Sequence, residues 1–215
     1  MLTGSLSSGV IGSRNLVTLK LANNEFRGQF PYHLGSIQTL QIQNNFFSGP
    51  LTFAAPNLTV IDITSNKFSG IISSAFFTEF LRIFSASNNC LQPTIPTSVC
   101  SSTNLERLLV SGLRLNNCDR NPAELVLTPG EFPDCLWSLP KLETFVGTGN
   151  AFDQPLPNDP SKPLGPALEY LDLSSNRMYG TISSVFVNSS LGFVNLSKNR
   201  IQGQQICIFS LIIKS

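Results

Sequence analysis

The chain is poor in charge and almost without histidine, and each shortage closes off a class of function. Charged residues make up 13% of its 215 positions and leave a formal net charge of +1. No basic field exists to draw in nucleic acid or an anionic membrane. His33, in FPYHLGS, is the only histidine. A zinc site needs several histidines or cysteines paired at C-x2–4-C spacing, and neither is present. A serine or cysteine nucleophile has no imidazole beside it to act as base. Asp62 and Asp172 share a position in the pattern below but stand about five units apart, far beyond the ~5–10 Å of a two-carboxylate mechanism. The expected class is therefore not an enzyme and has no cofactor and no metal. The longest apolar stretch, 206–213, is well short of the ~18 residues that span a membrane. The opening MLTGSL does not read as a cationic, apolar targeting segment.

What the chain does have is one phrase, repeated. Leucine-type residues stand at spacing L-x-x-L-x-L and are followed by Asn, then Phe and Gly. The phrase reads NLVTLKLANNEFRG at 15–28, IQTLQIQNNFFSG at 37–49 and NLTVIDITSNKFSG at 57–70. It weakens at 81–91, 105–115 and 142–152, then returns as LEYLDLSSNRMYG at 168–180 and LGFVNLSKNRIQG at 191–203. The Asn slot falls at Asn24, Asn45, Asn66, Asn89, Leu113, Asn150, Asn176 and Asn199, in steps of 21, 21, 23, 24, 37, 26 and 23 residues. Eight copies of a short unit predict a solenoid in which each unit buries its apolar face only against its neighbours. Alternation within x-L-x-L-x predicts a short strand with its leucines inward. The strands stack in parallel into one curved sheet, and the alternate residues face outward on its concave side.

The other columns have structural readings. A buried Asn amide both donates to and accepts from backbone groups of the turn after the strand, so stacked units form an Asn ladder that Leu113 interrupts. Two residues beyond lies a second apolar column, Phe26, Phe47, Phe68, Leu91, Leu115, Phe152, Met178 and Ile201, a spine through the core. The glycines at 28, 49, 70, 180 and 203 allow the chain to turn. Phe30-Pro31, Ile95-Pro96, Phe132-Pro133 and Leu156-Pro157 lead into the convex side, where proline discourages a long helix.

These residues, L-x-x-L-x-L-x-x-N-x-F-x-G followed by x-I-P, resemble the plant-type subclass of leucine-rich repeats over essentially the whole of 2–203. Phrases such as LEYLDLSSNRMYGTI and IPTSVCSSTNLERL are similar to the ectodomains of receptor-like kinases, receptor-like proteins and polygalacturonase-inhibiting proteins. The resemblance implies an α/β solenoid, a right-handed horseshoe or superhelix. It implies a parallel sheet on the concave face, a second short sheet beside the Gly turn, and short 3₁₀ or helical segments on the convex face. It also implies extracellular recognition of peptides, glycans or proteins, with no catalysis in the repeats.

Residues 1–203 are thus expected to be one repeat array of eight recognisable units after a partial first one, and 204–215 an irregular tail. Neither end carries a polar cap, which a solenoid needs over its terminal faces. The chain is therefore expected to be a piece of a longer protein or a truncated product, with any membrane anchor elsewhere in the parent. The 37-residue step places an insertion of about a dozen residues in NNCDRNPAELVLTPGE, 116–131. Cys118 and Cys135 flank it and would staple the loop if bonded to each other. Cys100 with Cys135 is the competing pair, because both lie on the convex part of adjacent units. Five cysteines leave one over, and spacing alone does not assign the connectivity. The proline-rich 154–170 reads as a stiff convex spacer, with a rigid extended edge that carries specificity as the alternative. Three sequons, at Asn57, Asn188 and Asn195, would carry glycans in a secreted protein. A glycan on Asn195 would close that end of the concave groove.

Contact residues should be the outward strand positions. The central column holds Lys20, Gln41, Asp62, Ser85, Leu109, Val146, Asp172 and Asn195. A hydroxyl-rich column from Ala22 to Ser197 flanks it on one side. On the other stand Thr18, Thr39, Val60, Ile83, Arg107, Thr144, Tyr170 and Phe193. Binding hot spots favour Trp, Tyr and Arg, which singles out Arg107 and Tyr170, with Phe193 beside them. The expected function is a recognition module, secreted or at the cell surface, that binds a peptide, glycan or protein on its concave face. The alternatives are a structural cell-wall repeat or a truncated member without activity of its own.

Overall fold

The computed structural model describes residues 1–7, 11, 15–53, 56–113, 118 and 129–203. Eight three-residue strands, from Thr18–Lys20 to Phe193–Asn195, form one parallel sheet whose order follows the chain without a crossover. Thr18 faces Thr39, then Val60, Ile83, Arg107, Thr144, Tyr170 and Phe193, rung by rung. This is the register that the spacing predicts. Leu19, Leu40, Ile61, Phe84, Leu108, Phe145 and Leu171 point into the core and are buried. The 37-residue step leaves the sheet intact, since Arg107–Leu109 pairs directly with Thr144–Val146. Among the described residues no helix is long and apolar enough to cross a membrane.

Each strand exits through a residue in the left-handed backbone region immediately before the Asn slot. Asn23, Asn44, Ser65, Asn88, Gly112, Gly149, Ser175 and Lys198 have φ between 53° and 72°. Asn and Gly, which tolerate that region best, fill five of these places. The turn then reverses into a second parallel sheet of five short strands, Thr3–Gly4, Glu25–Gln29, Phe46–Pro50, Lys67–Gly70 and Cys90–Leu91.

Between the two sheets the Asn ladder joins each unit to the one before. Asn66 Nδ2 donates to the carbonyls of Ile42, Ile63 and Thr64 at 3.0, 3.1 and 3.3 Å, and its Oδ1 accepts from the Phe47 N–H at 3.1 Å. Asn45, Asn89 and Asn176 repeat the arrangement. At the break, backbone groups take over. The Leu91 N–H, which an asparagine at 113 would satisfy, donates to the Leu113 carbonyl at 2.7 Å. Asn150 reaches across the gap to the Val110 carbonyl and accepts from the Leu113 N–H at 2.9 Å. Removing a regular rung has no such substitute. Asn66→Ala is expected to lower stability by about 1–3 kcal/mol by stranding buried groups, measurable as a shifted midpoint in denaturant melting.

The spine lies where the second apolar column predicts. Phe47 stacks on Phe26 at 5.9 Å and on Phe68 at 6.3 Å, and Leu91, Phe152 and Met178 continue the buried column. Leu115 is outside the described residues. The convex side carries 3₁₀ segments at Ser74–Phe76, Thr97–Ser101 and Asp134–Ser138 and a four-residue α-helix, Ser184–Val187. Pro96 and Pro133 stand immediately before two of them. Trp137 is buried against Phe132 and Phe186. In the proline-rich segment, Leu156 and Leu164 are buried.

The cysteines correct one expectation. Cys118 does not bond Cys135 across the insertion. Cys100 pairs with Cys135, and Cys118 pairs with Cys90. Cys100 and Cys135 lie on the convex 3₁₀ segments Thr97–Ser101 and Asp134–Ser138 with Cα atoms 5.7 Å apart, the spacing a disulfide requires. Cys118 instead ties the start of the insertion back to the edge of the second sheet. Cys207 is outside the described residues. Where the chain returns, Gly130 threads between Pro93 and Asn150, and a Cβ there would run into both carbonyl oxygens.

Candidate functional site

The concave face has two different halves. From Thr18 to Ser85 it is a mixed polar surface without aromatic side chains. Lys20 is exposed, and Gln41 and Asp62 are half-buried. Ser85 is buried, with only 4% of its surface accessible, so it is not offered to a partner as expected. Its side chain is shorter than those of Asp62 and Leu109, its cross-strand neighbours.

Several outward polar groups are already bonded within the sheet. Asp62 Oδ1 accepts from the Thr64 N–H at 3.1 Å. Asp172 Oδ1 accepts from the Ser174 N–H at 3.0 Å and the Thr148 hydroxyl at 3.1 Å, and its Oδ2 accepts from Asn195 Nδ2 at 3.1 Å. Asn195 Oδ1 in turn accepts from the Ser197 N–H. The hydroxyl column is also linked over its middle, from Ser87 to Thr148. Ser87 Oγ accepts from the Ser111 N–H, and Ser111 Oγ accepts from the Thr148 N–H. Asn57 and Asn188 are exposed, Asn57 ahead of its strand and Asn188 as C-cap of the Ser184–Val187 helix. Asn195 is half-buried in the sheet.

The third column brings Tyr170 and Phe193 together. Their rings stack face to face, centroids 4.3 Å apart and planes within 8°. Tyr170 remains 39% exposed. Thr144 separates Tyr170 from the exposed Arg107 along the sheet. Of the expected anchors, Tyr170 and Phe193 therefore occupy consecutive rungs, and Arg107 stands two rungs from Tyr170.

One row escaped the sequence reading, the position just before each of these residues. It holds Arg82, Glu106, Glu143 and Glu169, then Gly192. Its signal was legible as LER, LET and LEY in successive units, but the row falls outside the alternating strand positions. Arg82 binds Glu106 through two hydrogen bonds, Nε to Oε1 at 2.8 Å and Nη2 to Oε2 at 3.0 Å. The hydrogen bond first and the Glu106 charge second, with a smaller pull from Glu143, hold this guanidinium above its usual value. Away from the concave face, a shallow groove of about 270 Å³ runs along the turn between the two sheets, beside Phe46, Ser65, Lys67, Asn88 and Cys90.

The repeating strand, the left-handed turn and the Asn ladder make the fold a leucine-rich-repeat solenoid. The family described as Leucine Rich Repeat matches residues 57–78 and 167–189. Receptor-like protein 35 of Arabidopsis thaliana is 28% identical over 203 residues, 94% of this chain and 18% of that protein. The chain thus spans less than a fifth of the curated relative it matches. Among solved structures, the plant peptide hormone receptor RGFR1 in complex with RGF2 superposes with a TM-score of 0.76 at 26% identity, over 93% of this chain and 31% of that one. A plant ice-binding protein shares the fold at a TM-score of 0.75 and 23% identity, over 94% and 62% of the two chains.

Proposed function

We propose that this chain is a non-catalytic recognition module, part of an extracellular receptor-like protein, and that it binds a peptide along its concave face. The observation that carries the reading is the Tyr170–Phe193 stack, with Tyr170 exposed, two rungs from the exposed Arg107 on a face otherwise lined by polar and aliphatic side chains. Exposed aromatic and arginine side chains on a rigid scaffold are the usual anchors of an interface. The likeness to a receptor solved with a peptide hormone supports a peptide over other ligands. Two disulfides support an oxidising, extracellular setting.

Selection from a displayed library of random nonapeptides tests this directly. Peptides should enrich on the oxidised chain, and Tyr170→Ala should weaken a synthetic binder about tenfold or more. Thr18→Ala, at the far end of the same column, should leave affinity unchanged. No enrichment, or equal loss with both variants, overturns the proposal.

A further inference from the structure

The stacked rings and the acidic row beside them form one arrangement. Adjacent strands lie about 4.8 Å apart, and the ring centroids are 4.3 Å apart and nearly parallel. The rings therefore stand as successive rungs with their faces directed along the sheet. Phe193 covers one face of Tyr170. The other looks toward Thr144, the partner of Tyr170 on the next strand, whose side chain is short. Arg107 lies one strand further, about 10 Å from Tyr170 by strand spacing. A slot over Thr144 is thus wide enough for one flat group.

The neighbouring row sets the sign of that group. Glu106 is taken up by Arg82. Glu143 and Glu169 are exposed, and among the described residues neither carboxylate has an ion-pair partner. The Glu143 carbonyl accepts the Glu169 and Tyr170 N–H groups at 3.0 Å each, so the two acids stand on adjacent rungs, one residue before Thr144 and Tyr170. Asp172 adds a third negative charge two residues beyond Tyr170. The row then continues as Gly192, which leaves the space beside Glu169 and Phe193 free of a side chain. Arg107 stands on the outward column at this end, against Glu143, Glu169 and Asp172, and Arg82, whose charge also feels Glu143, is already held by Glu106.

We infer that this end of the concave sheet is a subsite for a cationic side chain, arginine or lysine, of an extended peptide. The aliphatic or guanidinium part lies on the open face of Tyr170, and the charge is directed to Glu143 and Glu169. The inference rests on the peptide-recognition reading above and names the residue type that the site reads. Cation–aromatic contact and unpaired carboxylates favour the same ligand group, whereas an anionic side chain is repelled by Glu143, Glu169 and Asp172.

The library selection is run on the wild-type chain, the Glu143→Gln/Glu169→Gln variant and Tyr170→Ala. All substitutions are at exposed positions, and an unchanged melting temperature confirms folding. Wild-type selections should carry Arg or Lys at one fixed place. Replacing that residue by citrulline or norleucine in a synthetic binder should weaken it about tenfold. The glutamine variant should lose a similar factor and no longer distinguish the two peptides, and salt should weaken only the charged pairing. Enriched peptides without a cationic preference, or with one unaffected by the glutamine variant, overturn the subsite and leave peptide recognition standing. Enrichment of acidic peptides does the same. Absence of any enriched peptide overturns both.

Discussion

Replacing Phe47 by alanine is expected to lower the unfolding free energy by about 3–5 kcal/mol, the range for truncating a large core aromatic. Phe47 has no accessible surface. It stacks between Phe26 and Phe68 and meets the edge of Phe30 at 5.2 Å. Its N–H is the donor that Asn66 holds. In a solenoid each layer touches only the layers beside it, so no other element can move into the hole. The loss should also be local. Hydrogen exchange should show protection falling between Phe26 and Phe68 while amides around Tyr170 keep theirs, since distant repeats are coupled only through nearest neighbours. A loss below about 1 kcal/mol would mean that this ring is not a core layer and that the register of the array is wrong.

The array was legible because its physics is periodic. A position such as Leu40 or Asn66 recurs with the same neighbours in every unit, so one correct alignment locates all of them. The same logic carried the strand register across the 37-residue step, because the strand from Thr144 had to dock on the one from Arg107 to bury Phe145 against Leu108. Properties that depend on what a side chain touches were not legible in this way. Outward direction follows from alternation at Asp62, Ser85 and Asp172, but bonding does not. Both carboxylates already accept hydrogen bonds in the sheet, and the serine is buried. The break at Leu113 announced an irregularity without its remedy, because backbone carbonyls carry no side-chain signature in a sequence. The acidic row at Glu106, Glu143 and Glu169 was visible as letters but lies one place outside the alternating strand, where alternation says nothing of direction.

Removing the disulfide between Cys100 and Cys135 is the second large expected effect. With a sequence separation of 35 residues, the chain-entropy relation gives about 4 kcal/mol. The loop closed by Cys90 and Cys118 overlaps it and already restricts part of the same unfolded segment. Cys100→Ser with Cys135→Ser should therefore cost about 2–4 kcal/mol in denaturant melting under non-reducing conditions. Non-reduced peptide mapping should recover the pairs Cys100 with Cys135 and Cys90 with Cys118. A double-serine variant as stable as the parent, or a mapped bond from Cys118 to Cys135, overturns this arrangement. The placement also bears on recognition. The two bonds tie Cys118 to the edge of the second sheet and Cys135 to the convex segment of Cys100, while Arg107 and Thr144 are cross-strand neighbours despite the long step between them. Reduction should loosen the structure at that step first, between Arg107 and the Tyr170–Phe193 stack, and so weaken peptide binding before the sheet melts.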